Sequence, residues 1–99
     1  MPVVLIHQGP TFTRDKYEEI IRRLTGKDRM ESPSDWPVEG LLLHVAGESP
    51  QGFRVVDVWQ SEDACNRFGE ALGPILQEVG VEDEPRSIRR TRSFRHRAD

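Results

Sequence analysis

The chain has 99 residues, 35% of them hydrophobic and 31% charged, with a formal net charge of −3. That length supports one domain around one core, here 1–99, and the apolar residues fall in periodic blocks, which excludes a disordered chain. No apolar run approaches a membrane span, no basic leader opens the chain, and the single cysteine, Cys65, excludes an internal disulfide, so a cytoplasmic protein with no membrane partner is expected.

Val3-Val-Leu-Ile6 is short, β-branched and stopped by Gly9-Pro10, which predicts a buried strand. Thr11 or Thr13 can cap the helix that follows. Tyr17, Ile20, Ile21 and Leu24 recur at i, i+3, i+4 and i+7 on that helix, and Gly26 ends it. Residues 27–39 have no period and hold Pro33, Pro37 and a lone Trp36. A connection this long is expected to be a lid, an arm or a mobile loop, with Trp36 plugging a core edge or a subunit contact.

Gly40-Leu-Leu-Leu-His-Val-Ala-Gly47 and Phe53-Arg-Val-Val-Asp-Val-Trp-Gln60 read as two strands joined by a turn, each apolar on both faces. Ser61 then stands at a helix N-cap, with Glu62 and Asp63 in the first turn, where the dipole favours negative charge. Cys65, Phe68, Leu72, Leu76 and Val79 form one stripe up to Gly80. Pro74 has no N–H for the carbonyl of Glu70, which predicts a kink or a break there. Cys65 on this stripe is expected to be an inert small hydrophobe rather than a nucleophile.

Glu82-Asp-Glu-Pro85 is a polar turn, and residues 86–99 read as a basic C-terminal strand and tail at a sheet edge. Charge is polarised along the chain: residues 1–85 carry 8 Lys/Arg against 16 Asp/Glu, and residues 86–99 carry 6 Arg against Asp99 alone. The arginines alternate with other residues, and Phe94 is the stretch's one aromatic. Pairing with the acidic remainder or with a second subunit is therefore expected, and nucleic acid is not an expected partner.

The order β-α-β-β-α-β is the ferredoxin-like arrangement, an α+β fold with a four-stranded antiparallel sheet. Strands one and three belong in the centre, with both helices on one face. Parity sorts Val4, Ile6, Leu41, Leu43, Val45, Val56 and Val58 beneath the helices. The other face then carries Val3, Leu5, His7, Leu42, His44, Ala46, Phe53, Val55, Asp57 and Trp59. A bare apolar sheet face is costly in water, so a homodimer formed through that face, enclosing a cavity, is expected.

The chain resembles the dimeric α+β barrel proteins that include the antibiotic biosynthesis monooxygenase-like domains. The resemblance is carried by the element order, by residues 40–47, and by Val56-Asp-Val-Trp-Gln-Ser61 leading into a helix with Phe68 and Leu72. It implies a cofactor-independent oxygenase of polycyclic phenols, a haem-degrading enzyme, an isomerase, or a protein without assigned activity. Trp59 matches the tryptophan that lines the cavity in the oxygenase branch. Val55 stands where that branch often has asparagine. Asn66-Arg-Phe-Gly-Glu70 lacks the histidine that the haem branch requires, so no haem is expected.

His7, His44 and Asp57 fall on the expected cavity face. A carboxylate beside a histidine fixes its tautomer and favours its charged form, which suits removal of a phenolic or activated C–H proton. Two histidines with one carboxylate could instead hold a divalent metal, or the three could form a self-satisfied polar cluster. The catalytic candidates are His44, Asp57 and His7, with Trp59, Phe53, Val55 and Leu42 as substrate contacts and neither metal nor cofactor expected. Two functions stand: a monooxygenase-like enzyme acting on a hydrophobic or aromatic small molecule, and a non-catalytic structural or ligand-sensing dimer.

Overall fold

The computed structural model describes residues 2–88. Strand β1 (Val3–Gln8) leads to helix α1 (Arg14–Thr25), and strands β2 (Leu41–Ser49) and β3 (Gly52–Trp59) form a hairpin. Helix α2 (Glu62–Val79) and the short strand β4 (Arg86–Ile88) follow. The sheet runs β2-β3-β1-β4, all antiparallel, so the first and third strands are central as the connectivity predicts. Of the basic end, Arg86–Ile88 pairs with β1; residues 89–99, including Phe94, lie outside the described residues. No described helix is long and apolar enough to cross a membrane.

The helices start and stop where their local chemistry dictates. Thr13, of the two threonines, caps α1 by accepting from the Lys16 N–H, and Gly26 closes it in the left-handed conformation at φ 77°. Ser61 caps α2 by accepting from the Ala64 N–H, and Gly80 closes it at φ 88°. Pro74 does not break α2, which runs as one helix through it. Ile20 and Ile21 of α1 and Ala64, Cys65, Phe68, Leu72 and Leu76 of α2 are buried against the sheet.

The sheet presents to the helices the face opposite to the expected one. Val3, His7, Leu41, Phe53, Val55, Asp57 and Trp59 are the buried strand residues. Leu43 and Val45 are 52% and 53% exposed, on the bare face with Val4, Ile6, Val56 and Val58. Two causes account for the inversion. Phe53 and Trp59 are large enough to fill the space between sheet and helices, and the helix side supplies hydrogen-bond partners for the buried histidines. A β-bulge also separates Leu41, paired with Trp59, from Leu43, paired with Val58. The extra residue, Leu42, is unpaired and 55% exposed, while Leu41 stays buried. Leu42 therefore contacts no interior site, which corrects its assignment as a substrate contact.

Candidate functional site

The polar residues of the interior meet between the sheet and α1. His44 and Asp57 face each other directly across the β2–β3 ladder. Their side chains join through His44 Nδ1 and Asp57 Oδ1 at 2.6 Å, and Asp57 is 3% exposed. On its other edge, His44 Nε2 lies 2.5 Å from the hydroxyl of Tyr17, brought down from α1. Asp57 accepts from Nδ1–H, and in the neutral imidazole Nε2 is then the acceptor of the Tyr17 O–H.

Tyr17 is held protonated by its surroundings. Burial pushes its hydroxyl up to about 12, and the negative charge of Asp57 adds to the shift. It is the one tyrosine of the chain, so absorbance at alkaline pH reads it directly. Half-ionisation is expected near pH 12 in the folded protein and near pH 10 in the unfolded chain. Because the unfolded chain loses the proton first, stability falls as pH rises from about 10 to 12. Spectrophotometric titration beside urea unfolding at pH 9 and pH 11 checks both.

His7 is buried, but it sits apart from this chain of bonds. Its Nε2–H donates to the Asp83 carbonyl at 2.7 Å, leaving Nδ1 unprotonated, and its ring stacks on Phe12 at 4.1 Å. Burial holds its pKa below the ordinary imidazole value, against the upward pull of the Asp83 carbonyl and of the Asp83 and Asp57 charges. Asp83 is itself fixed by the backbone N–H and hydroxyl of Thr11, so the loops after β1 and α2 are clasped beneath this histidine. Among the described residues no group of three His, Cys, Asp or Glu side chains is placed to hold a metal ion, His7, His44 and Asp57 included.

A cavity of about 30 Å³ lies at the centre, walled by His7, Tyr17, Trp36, His44, Asp57 and Phe68 together with aliphatic side chains of both helices. That is room for about one or two waters. Val55 lines it as expected. Trp59 does not: fully buried, it packs against Phe68 at 4.9 Å as core. Phe53 is core as well, against Phe12 and Tyr17 at 5.7 and 4.9 Å. Tyr17 and Trp36 are the site members that sequence reading missed. Tyr17 sits in register with its apolar stripe, and only the hydroxyl distinguishes it. Trp36, read as a plug, covers His44 at 5.1 Å and Phe68 at 5.6 Å between ring centroids.

A larger concavity of about 1070 Å³ opens between α2 and residues 80–85, walled by Leu5, Cys65, Asn66, Gly69, Gly73 and Glu84 among others. Asp83 lines it but is engaged by Thr11, and no histidine is among its lining residues. The site where Tyr17, His44 and Asp57 converge is the better candidate despite its smaller volume.

Strand order β2-β3-β1-β4, with both helices on one face and the polar chain between the layers, decides the architecture. The fold is ferredoxin-like. A crystal structure from Shewanella loihica PV-4, described as a "putative monooxygenase", shares this ferredoxin-like architecture. Its TM-score is 0.54 at 21% identity, over 93% of this chain and 96% of that one. The likeness agrees, at the level of fold, with the resemblance to monooxygenase-like α+β barrel proteins. No family model matches the chain, and no curated protein matches it.

Proposed function

We propose that this chain is a small-molecule-binding protein that acts as a cofactor-independent monooxygenase on a hydrophobic or aromatic substrate. The observation that carries the reading is the buried chain Tyr17–His44–Asp57, which lines a small, mostly apolar cavity between the sheet and the helices. Nε2 of a neutral imidazole is a base, and the Asp57 carboxylate stabilises the imidazolium formed when it takes a proton. A substrate hydroxyl or activated C–H would give its proton to Nε2, while the Tyr17 O–H turns to donate to the developing oxyanion. The resulting anion is electron-rich enough to react with dioxygen. Overall a CH₂ group becomes a carbonyl, with one oxygen atom kept in the product and the other leaving as water. The fold shared with the Shewanella protein supports this reading.

Oxygen uptake with anthrone-like and quinol compounds tests it. Uptake is expected for the unaltered chain, about 10²–10⁴-fold less for His44→Gln, and about 10²–10³-fold less for Tyr17→Phe. Absence of uptake across such compounds sinks the enzymatic reading. The second reading, a non-catalytic structural or ligand-sensing dimer, draws on the small interior: about 30 Å³ holds no organic substrate while Trp36 is in place.

The same proposal includes a homodimer, formed by the bare sheet face rather than the face that holds His44. Val4, Val58, Leu43 and Ile88 align in one row across the four strands, and Ile6, Val56 and Val45 in the next. Leu43, Val45 and Ile88 are exposed and the other four half-buried, which together make the kind of patch that a second copy covers. Sedimentation of micromolar protein is expected to give a dimer, and Leu43→Asp with Val45→Asp a folded monomer. A compact monomer for the unaltered chain refutes the assembly.

A further inference from the structure

We propose that the indole of Trp36 holds the ligand's place: the site takes a flat aromatic molecule of about bicyclic size, and residues 26–40 must withdraw Trp36 for it to enter. This rests on the reading of the helix-covered cavity as a ligand site. Every wall of that cavity but one comes from a helix or a strand. Leu5 and His7 belong to β1, Tyr17 to α1, His44 to β2, Asp57 to β3 and Phe68 to α2. Those walls are fixed by ladder and helical hydrogen bonds. Trp36 is the exception, since it follows a single 3₁₀ turn (Pro33–Asp35) in an otherwise irregular connection.

Its burial contrasts with its surroundings. Trp36 is 7% exposed, while Ser34, Pro37 and Glu39 around it are exposed. The ring stacks on Phe68 with 26° between planes and tilts 50° over His44, against the two surfaces that would clamp an aromatic ligand. Its Nε1–H is buried and has no acceptor among the described residues, so no directional bond pins the indole there. Removing the indole would open a space approaching the roughly 150 Å³ that admits benzene in an engineered apolar cavity.

The connection is tied together by its own polar groups and meets the core through the side chains of Met30, Trp36 and Val38. Lys27 pairs with Glu31 and Asp35, and Asp35 accepts from the backbone N–H groups of Glu31 and Ser32. These bonds hold residues 27–35 to one another rather than to the sheet. Gly26 and Gly40 bracket the segment with φ of 77° and 110°, conformations that residues with a Cβ rarely adopt. A ligand carrying a hydroxyl would set it where the Tyr17 O–H and His44 Nε2 can exchange a hydrogen bond with it.

Calorimetric titration of the full chain with 2-naphthol tests the proposal. Trp36→Ala is expected to bind at least about tenfold more tightly than the unaltered chain, and saturating indole to raise its Tm. Equal affinities, or no binding by either form, overturn it. Since Trp36→Ala could fail to fold, the unaltered chain is also labelled with 5-fluorotryptophan. Added 2-naphthol is then expected to move the Trp36 resonance toward its solvent-exposed position and leave that of Trp59 in place; a Trp36 signal unmoved throughout the titration overturns the proposal. The two readings fail separately. Tight binding by Trp36→Ala without oxygen uptake removes the catalysis and keeps this inference, whereas His44-dependent uptake with Trp36 unmoved does the reverse.

Discussion

His44→Ala is expected to lower the unfolding free energy by about 3–5 kcal/mol, more than the loss of its packing alone would cost. Asp57 is 3% exposed, and His44 Nδ1 is the hydrogen-bond partner of its carboxylate at 2.6 Å. Removal of the imidazole leaves that carboxylate in an apolar layer without its donor, which is the costly half of breaking a buried pair. The tyrosine hydroxyl loses its acceptor in the same step. The double variant His44→Leu with Asp57→Leu removes both buried polar groups and is expected to recover most of the loss. Urea unfolding at pH 7 measures both, and a single-variant loss below about 1 kcal/mol would contradict the buried arrangement.

Trp59→Ala should be similarly damaging for a different reason. The side chain has no exposed surface and stacks on Phe68, which itself carries Trp36 on its other contact. Truncating a fully buried aromatic costs about 3–5 kcal/mol, a large part of the 5–15 kcal/mol that holds a domain together. At about 4–8 °C per kcal/mol for a chain of this size, the midpoint falls by well over about 10 °C. The informative companion is Trp59→Phe. As Trp59 does not line the cavity, that variant is expected to be less stable yet to bind 2-naphthol as the unaltered chain does. A selective loss of binding would return Trp59 to the role of ligand contact.

Legibility from sequence followed the range of the forces involved. Element order, the caps at Thr13, Ser61, Gly26 and Gly80, and the buried stripes of both helices are local features, and they read correctly. The choice of sheet face is not local. Both parities are apolar, so composition could not say which one the helices cover, and the bulge at Leu42 reverses the parity within β2. The polar residues on one parity suggested a cavity between subunits, whereas their partners sit on α1 and in the loop after α2. His44 and Asp57 are close because the register sets them directly opposite, a pairing that depends on the exact position of the turn. Tyr17 was hidden by agreement with its neighbours: an aromatic ring in an apolar stripe carries no mark of the bond its hydroxyl will form.

The inversion of the sheet has a stoichiometric consequence. With Tyr17, His44 and Asp57 all supplied by one chain on the side away from its bare strands, the proposed dimer would have no subunit borrowing chemistry from a sibling. Hybrids assembled from intact and His44→Gln chains should therefore turn over in linear proportion to the intact fraction, half for an equal mixture, instead of collapsing toward zero.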